Sequence, residues 1–277
     1  MGILDGKAIV VTGAGRGLGA AFARHAAEAG AAVVVNDVDA EPAFETAAAI
    51  GDAAFASVGS VADASYAHSL IATCVARFGA LDGLVNNAAI WYRAKPWEDH
   101  DADLTRELIE TNVLGTLYCG TAAAAAMRER GGVILNVTSG SMVGQGAAAA
   151  YSASKGAVAS MVYSWAHDLG PHGIRVNGVC PIAATRMMAA NPHGDPSAPP
   201  PESVAPLVTY LLSDLSAGLT GQVLRLARGH LHVVRQPAIV HPVLHQDSWT
   251  PEQIAAAIGG ELAGALEPPA SVRWSLS

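Results

Sequence analysis

The sequence predicts one α/β domain, a doubly wound parallel sheet with helices on both faces. Three observations predict it. Short β-branched runs alternate with Ala-rich stretches of helical length through most of the chain. Strands buried on both faces read as continuous apolar runs, and strand–helix alternation is the pattern of a parallel sheet. A glycine-rich turn follows the first run and opens the first helical stretch. Apolar residues make up 51% of the 277 and charged residues only 14%, which suits a large buried core.

The elements follow in order. Residues 7–12, 32–36, 53–58, 84–86, 133–137 and 174–179 read as buried strands, and 222–226 as a last one. Helices are expected near 17–29, 40–50, 63–78, 101–130, 151–169 and 202–213, with a short one near 251–258. Gly30 stands where a helix C-cap would, and Gly170-Pro171 is a stop. A Pro-rich stretch (about 186–206) interrupts the rhythm and reads as a substrate loop or a plain connector. Beyond about residue 228 an extended C-terminal tail carries His, Pro and Val. Neither a repeat nor a second core is evident, so residues 1–277 are expected to form a single dinucleotide-binding and catalytic domain.

Composition excludes several classes. The net charge is −8 and no Lys/Arg run exists, which argues against nucleic acid or an anionic membrane as partner. No apolar run reaches spanning length, and the opening Met-Gly-Ile-Leu-Asp-Gly-Lys lacks the regions of a signal peptide. Cys74, Cys119 and Cys180 are odd in number and lack metal-ligand spacing. Buried thiols in a reducing cytoplasm are expected.

Thr12-Gly13-Ala14-Gly15-Arg16-Gly17-Leu18-Gly19 sits between the first strand and the first helix. Glycines there permit a tight turn and let backbone N–H groups approach a pyrophosphate at the helix N-terminus, the Rossmann arrangement. Asp37 ends the second strand about twenty residues later. A carboxylate there accepts the adenosine ribose hydroxyls and repels a 2′-phosphate, which favours NAD over NADP. Arg16 is the counter-evidence, since a base in this turn can serve a 2′-phosphate; Val38 supplies no second base.

Tyr151 and Lys155 stand four residues apart in a helix-prone stretch, so both side chains leave one face. A free phenol has a pKa of about 10, and a nearby fixed cation favours the phenolate. The pair suits proton transfer at a substrate oxygen.

Taken with Thr12–Gly19, Asn86-Asn87-Ala88, Asn112, Asn136-Val137-Thr138-Ser139 and Pro181…Thr185, the pair resembles the short-chain dehydrogenase/reductase family over residues 5–225. The resemblance implies an NAD(H)-dependent oxidoreductase that interconverts a secondary alcohol and its ketone. In that reading Tyr151 is the general acid/base. Lys155 lowers the tyrosine pKa and binds the nicotinamide ribose, Ser139 positions the substrate oxygen, and Asn112 belongs to a proton relay. The cofactor set would be Gly13, Arg16, Gly17, Leu18, Gly19, Asp37, Ser60, Val61, Asn87, Ala88, Tyr151, Lys155, Pro181, Ile182 and Thr185, with Asn87 bracing the pocket. Homotetramers or homodimers are implied as well.

Departures from the family pattern matter here. Ser139 stands twelve positions before Tyr151, one fewer than is usual, which leaves Thr138 and Ser141 as alternatives for the serine role. Ser60 occupies a place where an adenine-binding Asp is common, and Ile182 stands where a glycine would follow Pro181. The stretches Pro181–Met187 and Pro201–Val208 resemble the subgroup containing the (3R)-hydroxyacyl-CoA dehydrogenase part of multifunctional enzymes and its bacterial relatives.

Trp91, Tyr92 and Trp97 follow Asn87-Ala88-Ala89-Ile90, and Met187 and Met188 border the Pro-rich stretch. Trp91, Ser141, Met187 and Met188 are substrate candidates, since Met adapts to varied apolar ligands; a core role is the alternative. His230, His232, His241 and His245 lack the carboxylate or thiol partners of a metal site, and no metal is expected. Other functions compatible with these motifs are an NADP-dependent biosynthetic ketoreductase, a nucleotide-sugar epimerase and a non-catalytic NAD-binding sensor.

Overall fold

The computed structural model describes residues 2–98, 101–189 and 197–267, with the Met188 and Ala189 side chains outside the described set. The chain forms two compact units, residues 1–234 and 235–277. In the first, strands β1 (Ala8–Val11), β2 (Ala32–Asp37), β3 (Ala54–Val58), β4 (Gly83–Asn86), β5 (Gly132–Val137), β6 (Ile174–Val179), β7 (Val223–Ala227) and β8 (His230–Val234) make one sheet in the order 3-2-1-4-5-6-7-8. Every neighbouring pair is parallel except β7 with β8. The helices are α1 (Gly17–Glu28), α2 (Ala40–Ile50), α3 (Ala64–Phe78), α4 (Ala102–Ile109), α5 (Gly115–Met127), α6 (Ala149–Leu169), α7 (Arg186–Ala189) and α8 (Ala205–Leu212). In the second unit α9 (Pro251–Gly259) is held by a capping box between Thr250 and Gln253.

Alternation along the strands sends side chains to two cores. Ile9, Val11, Val33, Val35, Leu135 and Val179 meet Phe22 of α1 and Leu211 of α8 on one face. Val10, Val34, Leu84, Ile134 and Val176 meet Leu70 of α3 and Cys119 and Met127 of α5 on the other. The core strands are therefore apolar on both sides, as a doubly covered parallel sheet requires. The doubly wound architecture read from the sequence is observed.

Two local features depart from the expected elements. The long helix over 101–130 is interrupted by a π-helical turn, Glu110–Leu114, between α4 and α5. Such turns cluster at functional sites, and this one carries Asn112. The stretch expected to start an extended tail instead folds back as β8, the one antiparallel strand. Arg228 and Gly229 have φ of 51° and 77° between the paired Ala227 and His230, the left-handed geometry of a two-residue hairpin. The sequence signal was His230-Leu231-His232-Val233 alternation after Arg228-Gly229. A non-Gly residue rarely adopts the Arg228 conformation, which hid the turn.

Arg175 of β6 ties that strand to the end of α8. Its guanidinium donates to the carbonyls of Leu211, Ser213 and Ser216 and to the Ser216 hydroxyl, at 2.7–3.1 Å. These carbonyls lie at the end of α8 and in the turn that follows it, and each also accepts one local donor, the Ser216 hydroxyl or the Leu219 N–H. Arg175→Met would remove the guanidinium donor from all of them while keeping apolar bulk. The expected loss is about 2–3 kcal/mol, read from the urea midpoint at unchanged slope; an unshifted midpoint would show that water replaces the guanidinium at no cost.

Candidate active site

The strand order reverses direction between β1 and β4, and the turns after both strands meet there, the place where open α/β sheets hold ligands. Thr12 Oγ1 accepts the backbone N–H groups of Asn87 and Ala88 at 3.0 and 3.1 Å. The Asn87 amide donates to the Thr12 and Gly13 carbonyls at 2.9 and 3.0 Å, so Asn87 braces the glycine-rich turn. A Cβ on Gly19 would lie 2.2 Å from the Gly13 carbonyl oxygen, which excludes any side chain there. At Gly17 (φ +55°) a Cβ would meet only Thr185 Cγ2, at 3.8 Å. The N-terminus of α1 carries no side-chain cap. An uncapped helix N-terminus with open space at Gly17 fits a pyrophosphate, so the residues present suit a dinucleotide.

At the end of β2, Asp37 Oδ2 accepts the Gly15 N–H at 2.9 Å and Oδ1 accepts the Asp39 N–H at 3.1 Å. Arg16, the N-cap of α1, pairs with a second acid: its Nη1 lies 2.6 Å from Asp39 Oδ2. Sequence reading missed Asp39, whose only signal was a second acid two residues after the first. Ser60 is exposed and accepts the Ala62 N–H. Val61 is buried against Gly115, whose added Cβ would stand 2.7 Å from Val61 Cγ2. Leu18 packs on the α1 side of the core. Pro181 and Ile182 are half-buried in the segment after β6 that leads to Thr185.

Tyr151 and Lys155 stand in the first turns of α6 and are 7% and 3% exposed. Lys155 Nζ donates to the Val137 carbonyl at 2.7 Å and lies 5.8 Å from the Tyr151 ring centre. Burial pushes the Tyr151 phenol up to about 12, opposed by its hydrogen bond with Ser139. Desolvation of the phenolate outweighs that hydrogen bond. The same desolvation brings Lys155 down to about 8, offset by the Cys180 thiol.

Ser139 caps the 3₁₀ turn Gly140–Val143, and its hydroxyl both accepts the Ser141 N–H and donates to Ser141 Oγ. Thr138 instead donates to the Val179 carbonyl at 3.1 Å, tying the end of β5 to β6. Of the three hydroxyls considered for the serine role, Ser139 is the one that eases proton loss from the Tyr151 phenol. Asn112 is 1% exposed. Its Oδ1 accepts the Ile90 N–H at 2.8 Å, and Nδ2 donates to the Ile90 carbonyl and Ser154 Oγ, both at 3.0 Å. The π-turn thus pins the loop after β4 to α6 beside Lys155. Both Nδ2 hydrogens are committed, while Oδ1 keeps a second lone pair for a further donor.

Around Tyr151 an apolar cluster contains Leu108, Ala148, Ile90, Trp91, Tyr92, Ile109 and Met187. Trp91 and Met187 therefore share the tyrosine's surroundings, while Trp97 is 79% exposed and apart from them. Ser141 is buried beside Ser139. The Met188 side chain and residues 190–196 of the Pro-rich stretch lie outside the described residues. Among the described residues no group of His, Cys, Asp or Glu could hold a metal, and no helix is long and apolar enough to cross a membrane. All three cysteines are buried and unpaired.

The short chain dehydrogenase family profile matches residues 7–195. The chain is 37% identical, over 82% of its length and 97% of the relative's, to cis-4-hydroxycyclohexanecarboxylate dehydrogenase of Sinomonas cyclohexanicum. It is 40% identical to sorbitol dehydrogenase of Cereibacter sphaeroides, over 64% and 70% of the two chains. The crystal structure of a short chain dehydrogenase from Mycobacterium avium superposes with a TM-score of 0.86 at 32% identity, covering 97% of this chain and 98% of that one.

Proposed function

Because this chain belongs to the short-chain dehydrogenase/reductase family, oxidoreductases that act on CH–OH groups with a nicotinamide cofactor, we propose that it interconverts a secondary alcohol and its ketone with NAD(H). The observation that carries this reading is the set of half-buried Ser139 with buried Tyr151 and Lys155 beside a glycine-rich turn braced by Asn87. The nicotinamide, when bound, accepts or supplies the hydride. Tyr151 takes the proton from the alcohol oxygen in oxidation and returns it in reduction. Ser139 holds that oxygen in place through a hydrogen bond. The Lys155 charge, together with the N-terminal end of α6, favours the phenolate once the proton has moved. Lys155 is also the donor assigned to the nicotinamide ribose, with Asn112 on the proton path to solvent. Asn87, Ala88, Val61 and Ser60 border the cofactor, while Pro181, Ile182 and Thr185 flank its nicotinamide end.

NAD is preferred over NADP because Asp37 presents a carboxylate at the ribose end and Asp39 neutralises the one cation, Arg16, of the turn. For the substrate, the surroundings of Tyr151 support an apolar carbon skeleton, and the relatives named above act on a hydroxycyclohexane acid and a polyol. We rank a ring secondary alcohol first. A (3R)-hydroxyacyl thioester comes second, supported only by the Pro181–Met187 and Pro201–Val208 stretches. The same reading assigns the dinucleotide-binding and catalytic parts to one domain and a homotetramer or homodimer as the working form. The test is NAD reduction over a panel of secondary alcohols, cyclic, acyclic and polyol. Turnover with at least one cyclic member is expected; binding of NADH without turnover of any member would favour a sensor instead.

A further inference from the structure

The carboxyl ends of β1, β2 and β3 stand side by side, in the sheet order 3-2-1. The glycine-rich turn follows β1 and Asp37 ends β2, so a path from pyrophosphate to ribose leads on to the turn after β3, Gly59-Ser60-Val61. That turn carries no acid, and its one polar side chain, Ser60, is exposed. A network of side chains holds it from β2 and α3. Asn36 is 1% exposed, and its Nδ2 donates to the carbonyls of Ser57 and Gly59 at 3.2 and 3.1 Å. Carbonyls only accept, so the amide nitrogen is the atom that faces them. The same Nδ2 lies 3.0 Å from Tyr66 Oη, and Tyr66 Oη lies 2.7 Å from Ser57 Oγ. One phenolic oxygen thus joins β2, the end of β3 and the first turn of α3. A Cβ on Gly59 would overlap the Tyr66 ring. The backbone completes the frame. The Gly59 N–H donates to the Asp37 carbonyl at 3.0 Å, and the Ala14 N–H of the glycine-rich turn donates to the Asn36 carbonyl at 2.7 Å.

On the dinucleotide reading of the site given above, we propose that Tyr66 is a positioning residue for the base at the far end of the cofactor. Its hydroxyl, bonded to Asn36 and Ser57, fixes the backbone of Gly59–Val61 against the end of β2. An adenine presents donor and acceptor groups along one edge. With no acid in the turn, backbone N–H and C=O groups are what remains to match that edge, and they match it only when held still. Ordering a loop on binding costs affinity, so a turn already fixed in the free protein binds its ligand more tightly and more selectively. Tyr66 acts through the turn and takes no part in hydride or proton transfer. Tyr66→Phe keeps the ring that covers Gly59 and removes only the oxygen, which frees Ser57 Oγ and leaves the Asn36 amide with its two carbonyls alone.

The test is fluorescence titration of the intact protein with two probes, NADH and reduced nicotinamide hypoxanthine dinucleotide. The second differs only in the base: a carbonyl replaces the amino group and the neighbouring ring nitrogen carries a proton, so donor and acceptor exchange places. The parent is expected to favour NADH. In Tyr66→Phe, NADH binding should weaken by about 3- to 10-fold, the scale of one net hydrogen bond, and the preference over the hypoxanthine probe should shrink by about the same factor. A merely structural role would weaken both probes alike and leave their ratio in place. An unchanged ratio in Tyr66→Phe, or a parent that binds both probes equally, therefore overturns the inference. Melting temperature identifies a variant that fails to fold. Ser57→Ala, which removes the same link from the strand side, then serves in its place with the same expected shift. The measurement needs neither alcohol nor turnover. A parent that binds neither probe removes the dinucleotide reading together with this inference, whereas tight NADH binding with an unchanged ratio in the variant sinks the inference alone. The expected shift in a protein that turns over no alcohol keeps the inference and sinks only the catalytic reading.

Discussion

Tyr151→Phe is expected to lower kcat for alcohol oxidation by about 10²- to 10⁴-fold, the usual contribution of a placed general acid/base, while NADH binding stays nearly unchanged. The ring remains, so the apolar cluster of Leu108, Ala148, Ile90 and Trp91 keeps its packing. Only the oxygen is lost, and with it the hydrogen bond to Ser139. Stopped-flow hydride transfer and fluorescence titration of NADH separate the two effects. Substantial remaining turnover would remove Tyr151 from the mechanism.

The pH dependence has a definite sign. With the phenol held up to about 12, the base form needed for oxidation is scarce at neutral pH and grows as pH rises. Reduction needs the acid form and is already fully supplied with it. Lys155, at about 8, begins to lose its charge within the same rise, which removes the cation that favours phenolate. Oxidation should therefore climb with pH and then flatten above about 8, with the plateau lost from kcat if Lys155 plays no part.

The second large effect concerns the cofactor. Asp37→Asn keeps the side-chain volume and one carbonyl acceptor for the Gly15 N–H but removes the charge. The preference for NAD over NADP, measured as the ratio of kcat/KM values with one alcohol, is expected to fall about 10-fold or more, since a hydrogen bond to a charged group contributes about 1.5–3 kcal/mol. Adding Asp39→Asn releases Arg16 from its 2.6 Å ion pair and should raise NADP use further. That second step is expected to be smaller, because the Arg16–Asp39 pair is exposed and such pairs contribute only about 0–1 kcal/mol. An unchanged ratio in the double variant would place the discrimination elsewhere in the turn.

Much of this molecule was legible in one dimension, for identifiable reasons. The strands and their order of burial followed from apolar runs, because a strand covered on both faces leaves no polar side to disguise it. Gly13, Gly17 and Gly19 announced a ligand-facing turn because a Cβ has no place at Gly19 and positive φ is needed at Gly13 and Gly17. Tyr151 and Lys155 announced themselves by helical spacing. The hairpin to β8 was hidden, since Arg228 occupies a conformation that sequence patterns assign to Gly or Asn. The π-turn around Asn112 was also hidden, because one extra residue in a helix leaves the apolar pattern nearly unchanged.

The sequence by itself determined the doubly wound sheet, the family and the residue types that meet at the strand ends, because periodicity and glycine sterics are local properties of the chain. Only the tertiary structure decided what those residues are free to do. Arg16 is paired with Asp39 from the end of another element, and Ser139 is joined through Ser141 to Gln145. The Tyr151 phenol is raised by burial rather than lowered by its neighbour. Each of these is a matter of which partner lies within hydrogen-bonding distance and how much water is excluded, and spacing along the chain carries neither quantity.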